Sequence, residues 1–515
     1  MVGVLYSADD DWDKPNAEHP DGSYAIFRGD SLYLEVLSDP AASRTIWYYF
    51  DQQQCLASTS QRMLIAYLGH FQFDERVIPW MLSTGTLGPE LGWDKRIKRL
   101  PPESSLLLNK ATWELKLASR PIAFRSASRS RYEHKDNLSA AISETVKSLL
   151  TLDYRNWVLT LSGGYDARAI LQFLLRAGNL QDELRTVTWG LEKSQFTDGN
   201  DAKIAKDLAE KLRVRHDYLC TDTSSEPLGR IVNRFLACGE GRVDHIAGYM
   251  DGLDIWRVLR DDWGVAGVIR GDEGFGWTPV ASARTARIAL GCSPCSDFEN
   301  LDNVISRFHL SDQSLPRDLE IMAGETVSAW RDRLYHSHRI PTILAALSDI
   351  KLSYVEVISP LLSRRILECV RVLPDELRTN KELFKEVAQA FDIGVPYATA
   401  GANEDRRNIF RTDGMVQLVK GALQSAFAKD LFGGAFVEFI LGALERDQQD
   451  PKDREPPTRS KGKLRRGVKS LLPLSLRFLL KDSFAKPRVD GHVLAFRMFI
   501  VLKMHQMLNG GSWKS

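Results

Sequence analysis

No apolar run in the sequence reaches the roughly 18–20 residues needed to span a bilayer. The nearest, Val493–Leu508, is interrupted by Arg497, Lys503 and His505 and reads as an amphipathic helix. A secretory start is also missing: Asp9, Asp10, Asp11 and Asp13 stand where a signal would place basic and then apolar residues. Net charge is almost nil. The 68 Lys and Arg against 67 Asp and Glu create no global field toward nucleic acid or an acidic membrane. Cysteine is scarce. Six in 515 residues do not form a disulfide scaffold, and Cys292-Ser-Pro-Cys295 has no second ligand pair nearby for zinc. A reduced, cytoplasmic setting is the expectation. There is no Walker-type Gly-Lys-Ser/Thr loop and no internal repeat.

What is present reads as two or three domains, since 515 residues exceed one compact core. Residues 1–118 look β-rich: Tyr24–Phe27, Ser31–Leu37 and Ser105–Leu108 alternate between turn formers such as Asp21-Gly22 and Asp39-Pro40. Residues 119–135 are polar, with Arg125, Ser128, Arg129 and Arg131, and read as a linker. Residues 136–515 change character. A helical pattern at Leu138–Leu150 precedes the apolar run Asn156–Leu161. Strand patterns at Arg185–Gly190 and His216–Leu219 alternate with helical ones at Ala167–Ala177 and Asp201–Leu212. That alternation predicts a doubly wound α/β sheet. Beyond residue 225 helical patterns dominate, including Leu228–Cys238, Leu361–Leu373 and Lys381–Phe391. The basic stretch Arg459–Lys469, followed by Leu471–Leu474, reads as a lid, a docking segment or a solvated loop.

The most informative stretch is Leu161-Ser162-Gly163-Gly164-Tyr165-Asp166, between a strand pattern and a helix pattern. Two glycines let the backbone approach phosphate oxygens, and the helix start adds positive potential. An acidic residue there suits a site in which Mg²⁺ accompanies the phosphate. A second acidic, Gly-rich turn, Asp272-Glu273-Gly-Phe-Gly276, follows the apolar run Val265–Ile269. Asp166 and Asp272 are therefore expected at the carboxyl ends of parallel strands, as a Mg²⁺-holding pair. Tyr354–Pro360 and Asn380–Lys385 add Glu356, Lys381 and Lys385.

These segments, in this order, resemble the synthetase domain of the asparagine synthetase family, which includes β-lactam synthetase and the lasso-peptide cyclases. The family loop is Ser-Gly-Gly-x-Asp-Ser; Ser162–Asp166 matches it until Ala167. Glu356 and Pro360 resemble the family's Val-Glu-x-x-x-Pro, and Lys381 falls at its catalytic lysine, with Lys385 as rival. The resemblance covers roughly residues 136–395. It implies an adenine nucleotide alpha hydrolase-like fold with a helical C-terminal half. It also implies ATP cleavage to AMP and pyrophosphate, with a substrate carboxylate adenylylated and then captured by an amine. Leu161, Trp189, Gly190 and Val268 would then lie near adenine or ribose. Ile269 stands where relatives carry a Glu or Tyr, which leaves Glu356 as the available general base.

Residues 20–110 resemble the later part of the same family's glutaminase domain, through Asp21–Phe27, Leu37–Pro40 with Trp47–Tyr49, and Ala57–Ser60. The family's terminal cysteine is replaced by Val2, Ser38 replaces the arginine before Asp39, and much of the region upstream of Asp21 is missing. A degenerate, truncated domain without glutaminase activity is the expectation. Three functions follow: a peptide ligase of the lasso-cyclase kind acting on a precursor peptide; an amidating enzyme for a small-molecule or polysaccharide acid, fed by ammonia or a partner; and a non-catalytic binding homologue. Neither nucleic acid nor a membrane span is expected among the partners.

Overall fold

The computed structural model describes residues 1–391, 393–403, 406–449 and 486–510. The basic stretch Arg459–Lys469 and Leu471–Leu474 lie outside the described residues. Eight strands fill the first 119 positions: β1 (Val2–Ser7), β2 (Asp21–Gly29), β3 (Tyr33–Ser38), β4 (Trp47–Phe50), β5 (Cys55–Ser58), β6 (Lys98–Arg99), β7 (Ser104–Asn109) and β8 (Glu114–Ser119). They form an antiparallel sheet ordered β1-β2-β3-β7-β8 and a small sheet ordered β5-β4-β6. Alternation on β2 sends Ala25 into one apolar cluster with Val36 and Leu106, and Tyr24 and Ile26 into another with Leu37. Both faces of the strand are therefore covered.

The segment between β8 and the helix Arg131–Ser148 is shorter than the expected linker and is pinned. Arg125 and Ala127 donate backbone N–H groups to the Arg371 and Val372 carbonyls at 3.0 and 2.9 Å. The helix starts early because Ser130 and Glu133 form a capping box. A buried carboxylate clamps the front sheet to the rest: Glu103 accepts from Arg364 at 2.9 Å and Arg371 at 3.3 Å.

The second sheet is five-stranded and parallel throughout, with β9 (Trp157–Thr160), β10 (Arg185–Gly190), β11 (Arg215–Cys220), β12 (Gly267–Ile269) and β13 (Glu356–Ile358) in the order β11-β10-β9-β12-β13. Neighbouring residues face opposite cores. Val158, Val187, Val268 and Val357 enter one, and Leu159, Ile269 and Ile358 enter the other. Continuous apolar runs such as Trp157–Leu161 are what a sheet covered on both faces requires. The helices Arg131–Ser148, Tyr165–Ala177 and Glu382–Gln389 pack on one face, Leu228–Gly239 and Ala345–Leu352 on the other. This is a mixed α/β architecture with a parallel sheet.

The helix Gly491–Leu508 differs from the amphipathic expectation. Residues Val493 to Leu502 are all buried, Arg497 among them. The helices Val77–Thr84, Asp413–Leu423 and Gly434–Gln449 surround it, so no face is left to solvent over that stretch. Arg497 is accommodated by Asp244 at 2.7 Å and by the Leu82 carbonyl at 2.6 Å. No helix among the described residues is long and apolar enough to cross a membrane. Cys292 and Cys295 are buried free thiols, and burial pushes each up to about 12.

Candidate active site

With β9 central, the chain builds the sheet outward to β10 and β11, then restarts on the other side with β12 and β13. The loops leaving β9 and β12 therefore diverge, and the crevice between them is where open α/β sheets take ligands. The Thr160 hydroxyl donates to the Ile269 carbonyl at 3.1 Å, joining the two strand ends. Gly271 lets the second loop close on the first: a Cβ there would sit 2.8 Å from the Ala167 backbone nitrogen and 3.1 Å from Asp166 Cβ.

That contact brings together Asp166, Glu273 and Lys381. Lys381 Nζ lies 3.0 and 3.1 Å from the Asp166 oxygens and 2.8 Å from Glu273 Oε1. Burial pushes the Asp166 carboxyl up to about 6, with Lys381 opposing the shift and Glu273 reinforcing it. Burial alone would lower the Lys381 ammonium, but Glu273 and Asp166 outweigh it and hold the ammonium well above its ordinary range. The lysine is presented by unusual backbone: Asn380 and Lys381 both have φ of 59°, and the Asn380 N–H donates to the Trp277 carbonyl at 2.8 Å. Lys385 is elsewhere, 3.5 Å from Glu382 and over the Tyr165 ring.

Glu273 is fixed from behind. The Tyr335 hydroxyl lies 2.6 Å from the Glu273 carbonyl, to which it donates, and 3.1 Å from its carboxylate. His336 Nε2 is 2.7 Å from the Gly274 carbonyl. Burial pushes the His336 imidazole down to about 3, so it is neutral and donates there. The sequence points to Asp272 of the Asp272-Glu273 turn as the metal-holding acid; the acid that faces Lys381 here is Glu273. Asp272 turns away to Arg270 at 3.0 Å and Ser359 at 3.3 Å. Burial would raise its carboxyl; the Arg270 guanidinium outweighs that and holds it below the usual range. As a metal ligand Asp272 is thus already neutralised. Tyr335 and Arg270 carried no motif, and only their placement reveals them.

Glu356 is not in the cluster. It opens β13 at the amino end of the sheet, opposite Gly267, and pairs with Arg44 of the front region. It borders a polar cleft of about 280 Å³ that also contains Arg62, Arg242 and Asp349. Ser359, which reaches Asp272, is three positions further along the chain, roughly 10 Å of strand. It therefore cannot serve as general base beside Lys381 in this arrangement.

The Ser162–Gly164 turn has its own occupant. The Gly163 N–H donates to Asp201 Oδ1 at 2.7 Å, and the Gly164 N–H to Ser162 Oγ at 3.3 Å. Residues 393–403 pass over the turn. Arg168 holds the Val395 and Pro396 carbonyls at 2.7 Å, and Tyr397 stacks on Tyr165 with ring centroids 3.8 Å apart. Further along, the Leu191 N–H donates to the Ala402 carbonyl at 2.9 Å. A Cβ on Gly190 would meet that carbonyl oxygen at 2.6 Å. Gly190 is therefore covered by Ala402. Trp189 is half-buried edge-on to Trp256. Val268 and Leu161 are core residues, 0% and 3% exposed, because strand alternation points them into the two apolar layers. Neither side chain is available to a base. A cleft of about 380 Å³ remains beside Leu191, Thr221, Asp222 and Asn403, at the carboxyl ends of β10 and β11.

The charges define what the crevice accepts. A backbone N–H of the glycine turn already holds an anionic oxygen, from Asp201, and two carboxylates already flank a cation, from Lys381. A phosphate oxygen and a divalent cation carry charge of the same respective signs, so this donor set could hold a nucleotide phosphate and Mg²⁺.

No protein-family model matches the chain, and no curated protein matches its sequence. Among solved structures it is similar to the U34-tRNA thiolase NcsA from Methanococcus maripaludis, determined with its [4Fe-4S] cluster. That likeness covers 58% of this chain and 86% of that one, at 13% identity and a TM-score of 0.22. A superposition this loose carries no functional argument.

Proposed function

We propose that the chain is an ATP-dependent, AMP-forming amide ligase of the asparagine synthetase kind, acting on a peptide or small molecule that bears a carboxylate. One observation carries the reading: the Lys381 ammonium, bracketed by Asp166 and Glu273 at the switch point of a parallel sheet, beside the Ser162-Gly163-Gly164 turn. Lys381 would stabilise negative charge as it develops at the α-phosphorus and on the departing pyrophosphate. Gly163 and Gly164 would donate backbone N–H groups to phosphate oxygens once Asp201 and Ser162 release them. Asp166 and Glu273 would hold Mg²⁺, with Asp272 joining only by leaving Arg270; the bound ion supplies neutralisation of the polyphosphate. An amine from the substrate, from ammonia or from a partner would then displace AMP.

Binding of the base at Gly190 requires the Ala402 carbonyl to leave the Leu191 N–H. Non-hydrolysable ATP analogue with Mg²⁺ is therefore expected to change hydrogen exchange at Leu191 and across 395–402. That same contact favours a second reading, a homologue that binds without turning over, because segment 393–403 and Asp201 already occupy the turn. Nucleotide product analysis, with ATP–pyrophosphate exchange against a panel of peptides and acids, separates the two. AMP and exchange support the ligase; ADP as product sinks it; analogue binding without exchange on any acid favours the second reading.

A further inference from the structure

Away from the crevice, one group of acid and imidazole side chains among the described residues converges on a common point. Asp447 stands near the end of the helix Gly434–Gln449, and Asp490 and His492 at the start of Gly491–Leu508. One ligand atom from each lies within 4.8 Å of the others. None of the three belongs to the Asp166–Glu273–Lys381 cluster.

Acids near a helix start are commonplace, and Asp490 has an ordinary task as well. Its Oδ1 caps the helix, accepting from the His492 and Val493 N–H groups at 2.9 and 3.3 Å, and its Oδ2 accepts from Arg411 at 2.6 Å. Asp447 accepts the Gly491 N–H. These bonds orient both carboxylates without satisfying the imidazole. His492 is 4% exposed, and its Nδ1 has no hydrogen-bond partner among the described residues. That nitrogen faces Asp490 Oδ1 at 3.5 Å, beyond the range of a proper hydrogen bond. A buried imidazole nitrogen left without a hydrogen bond beside two carboxylates is unfavourable unless something positive lies among them.

We propose that Asp447, Asp490 and His492 form a structural site for a divalent transition metal of the zinc class, joining the end of the helix Gly434–Gln449 to the start of Gly491–Leu508. The donor set selects the ion. One imidazole and two carboxylates suit Zn²⁺, whereas Mg²⁺ and Ca²⁺ favour oxygen-only shells. Among the described residues two carboxylates stand against Arg411, which leaves one net negative charge for a dication to meet, and an imidazole that binds a metal does so in its neutral form. Water completes the coordination, since Asp447 and Asp490 are only half-buried. Asp447 and Asp490 are 43 positions apart in sequence, so the metal closes a long loop of chain and its effect is on stability.

The test uses the full chain, stripped with EDTA and kept in excess Mg²⁺ so that harder sites are filled. Zn²⁺ is titrated calorimetrically, and Co²⁺ is followed through its visible absorption. One equivalent is expected to bind and to raise the melting temperature by several degrees. His492→Gln, close in shape and able to hydrogen-bond, is expected to weaken binding at least tenfold and to lose the thermal shift, and Asp447→Asn likewise. Asp166→Asn is expected to bind Zn²⁺ as the wild type does, which separates this site from the proposed catalytic one. Absence of binding would mean that His492 is instead a protonated ion-pair partner. Wild-type affinity in both His492→Gln and Asp447→Asn would place the metal elsewhere. Either result overturns the proposal.

Discussion

At the carboxyl end of the parallel sheet, Asp166 and Glu273 share a single ammonium. At the amino end, Glu356 faces Arg44, and Arg242 pairs with Asp349. The amino end is a balanced ion network between two parts of the chain, and a balanced network has little reason to attract a further ion. At the carboxyl end the Asp166 carboxyl is raised, chiefly by burial, with Glu273 adding to the shift against the opposing Lys381 ammonium. A site that keeps two carboxylates around one cation sacrifices stability for the capacity to bind another.

The largest effect should come from Lys381→Met. ATP–pyrophosphate exchange is expected to fall on the order of a thousandfold, comparable to removing a transition-state charge donor, while the far-ultraviolet dichroism stays native. Retained exchange would move the chemistry away from this end of the sheet.

Asp166→Asn sharpens the same contrast through stability. With its folded-state carboxyl at about 6, against 3.8 for the unfolded chain, the native state binds the extra proton between those values. Stability therefore falls as pH rises from about 4 to 6, and the penalty stays in force above that. The Asn variant should be more stable than wild type at pH 7.5, by on the order of 1–2 kcal/mol, and should lose that advantage near pH 4. Thermal melts at the two pH values measure this. A variant less stable than wild type at pH 7.5 would mean the carboxylate is satisfied rather than strained.

Tyr335→Phe removes the hydroxyl that holds Glu273. A turnover loss of up to about tenfold is expected, the upper worth of one hydrogen bond to a backbone carbonyl, with KM for ATP nearly unchanged. Glu356→Gln comes last. It should cost some thermal stability by leaving the buried Arg44 charge uncompensated, yet leave turnover within about twofold, since it touches nothing that reacts. A loss as deep as that of Lys381→Met would erase the distinction between the two ends.

Much of this frame is legible in the sequence, for physical reasons. Asn156–Leu161 is too apolar for a half-exposed strand, and two glycines before a helical pattern leave few alternatives to a strand–turn–helix. What could not be read depends on direction rather than type. Asp272 and Glu273 are adjacent acids in one turn, and nothing local says which faces Lys381; tertiary partners, Arg270 for one and Tyr335 for the other, decide. Glu356 sits in a motif-like stretch, but only the register of β13 on β12 reveals that it marks the wrong end. The covering segment 393–403 has no periodicity to detect, because backbone carbonyls meeting Arg168 and Leu191 hold it rather than an apolar face. The helix Gly491–Leu508 misleads through Arg497, which reads as a solvent face until Asp244 is placed beside it.

That last helix also sets a schedule for the newborn chain. Arg497 reaches back 415 residues to the Leu82 carbonyl, and the surrounding apolar cluster joins Val77, Met81 and Leu82 to Phe496, Phe499 and Ile500. At roughly 5–20 residues per second of translation, about 20–80 s separate the two halves of this contact. Throughout that interval the apolar side of the segment around Trp80 and Met81 lacks its partner. The segment Val77–Thr84 is thus translated well before the helix that completes its packing, and the order of synthesis separates two halves of one core.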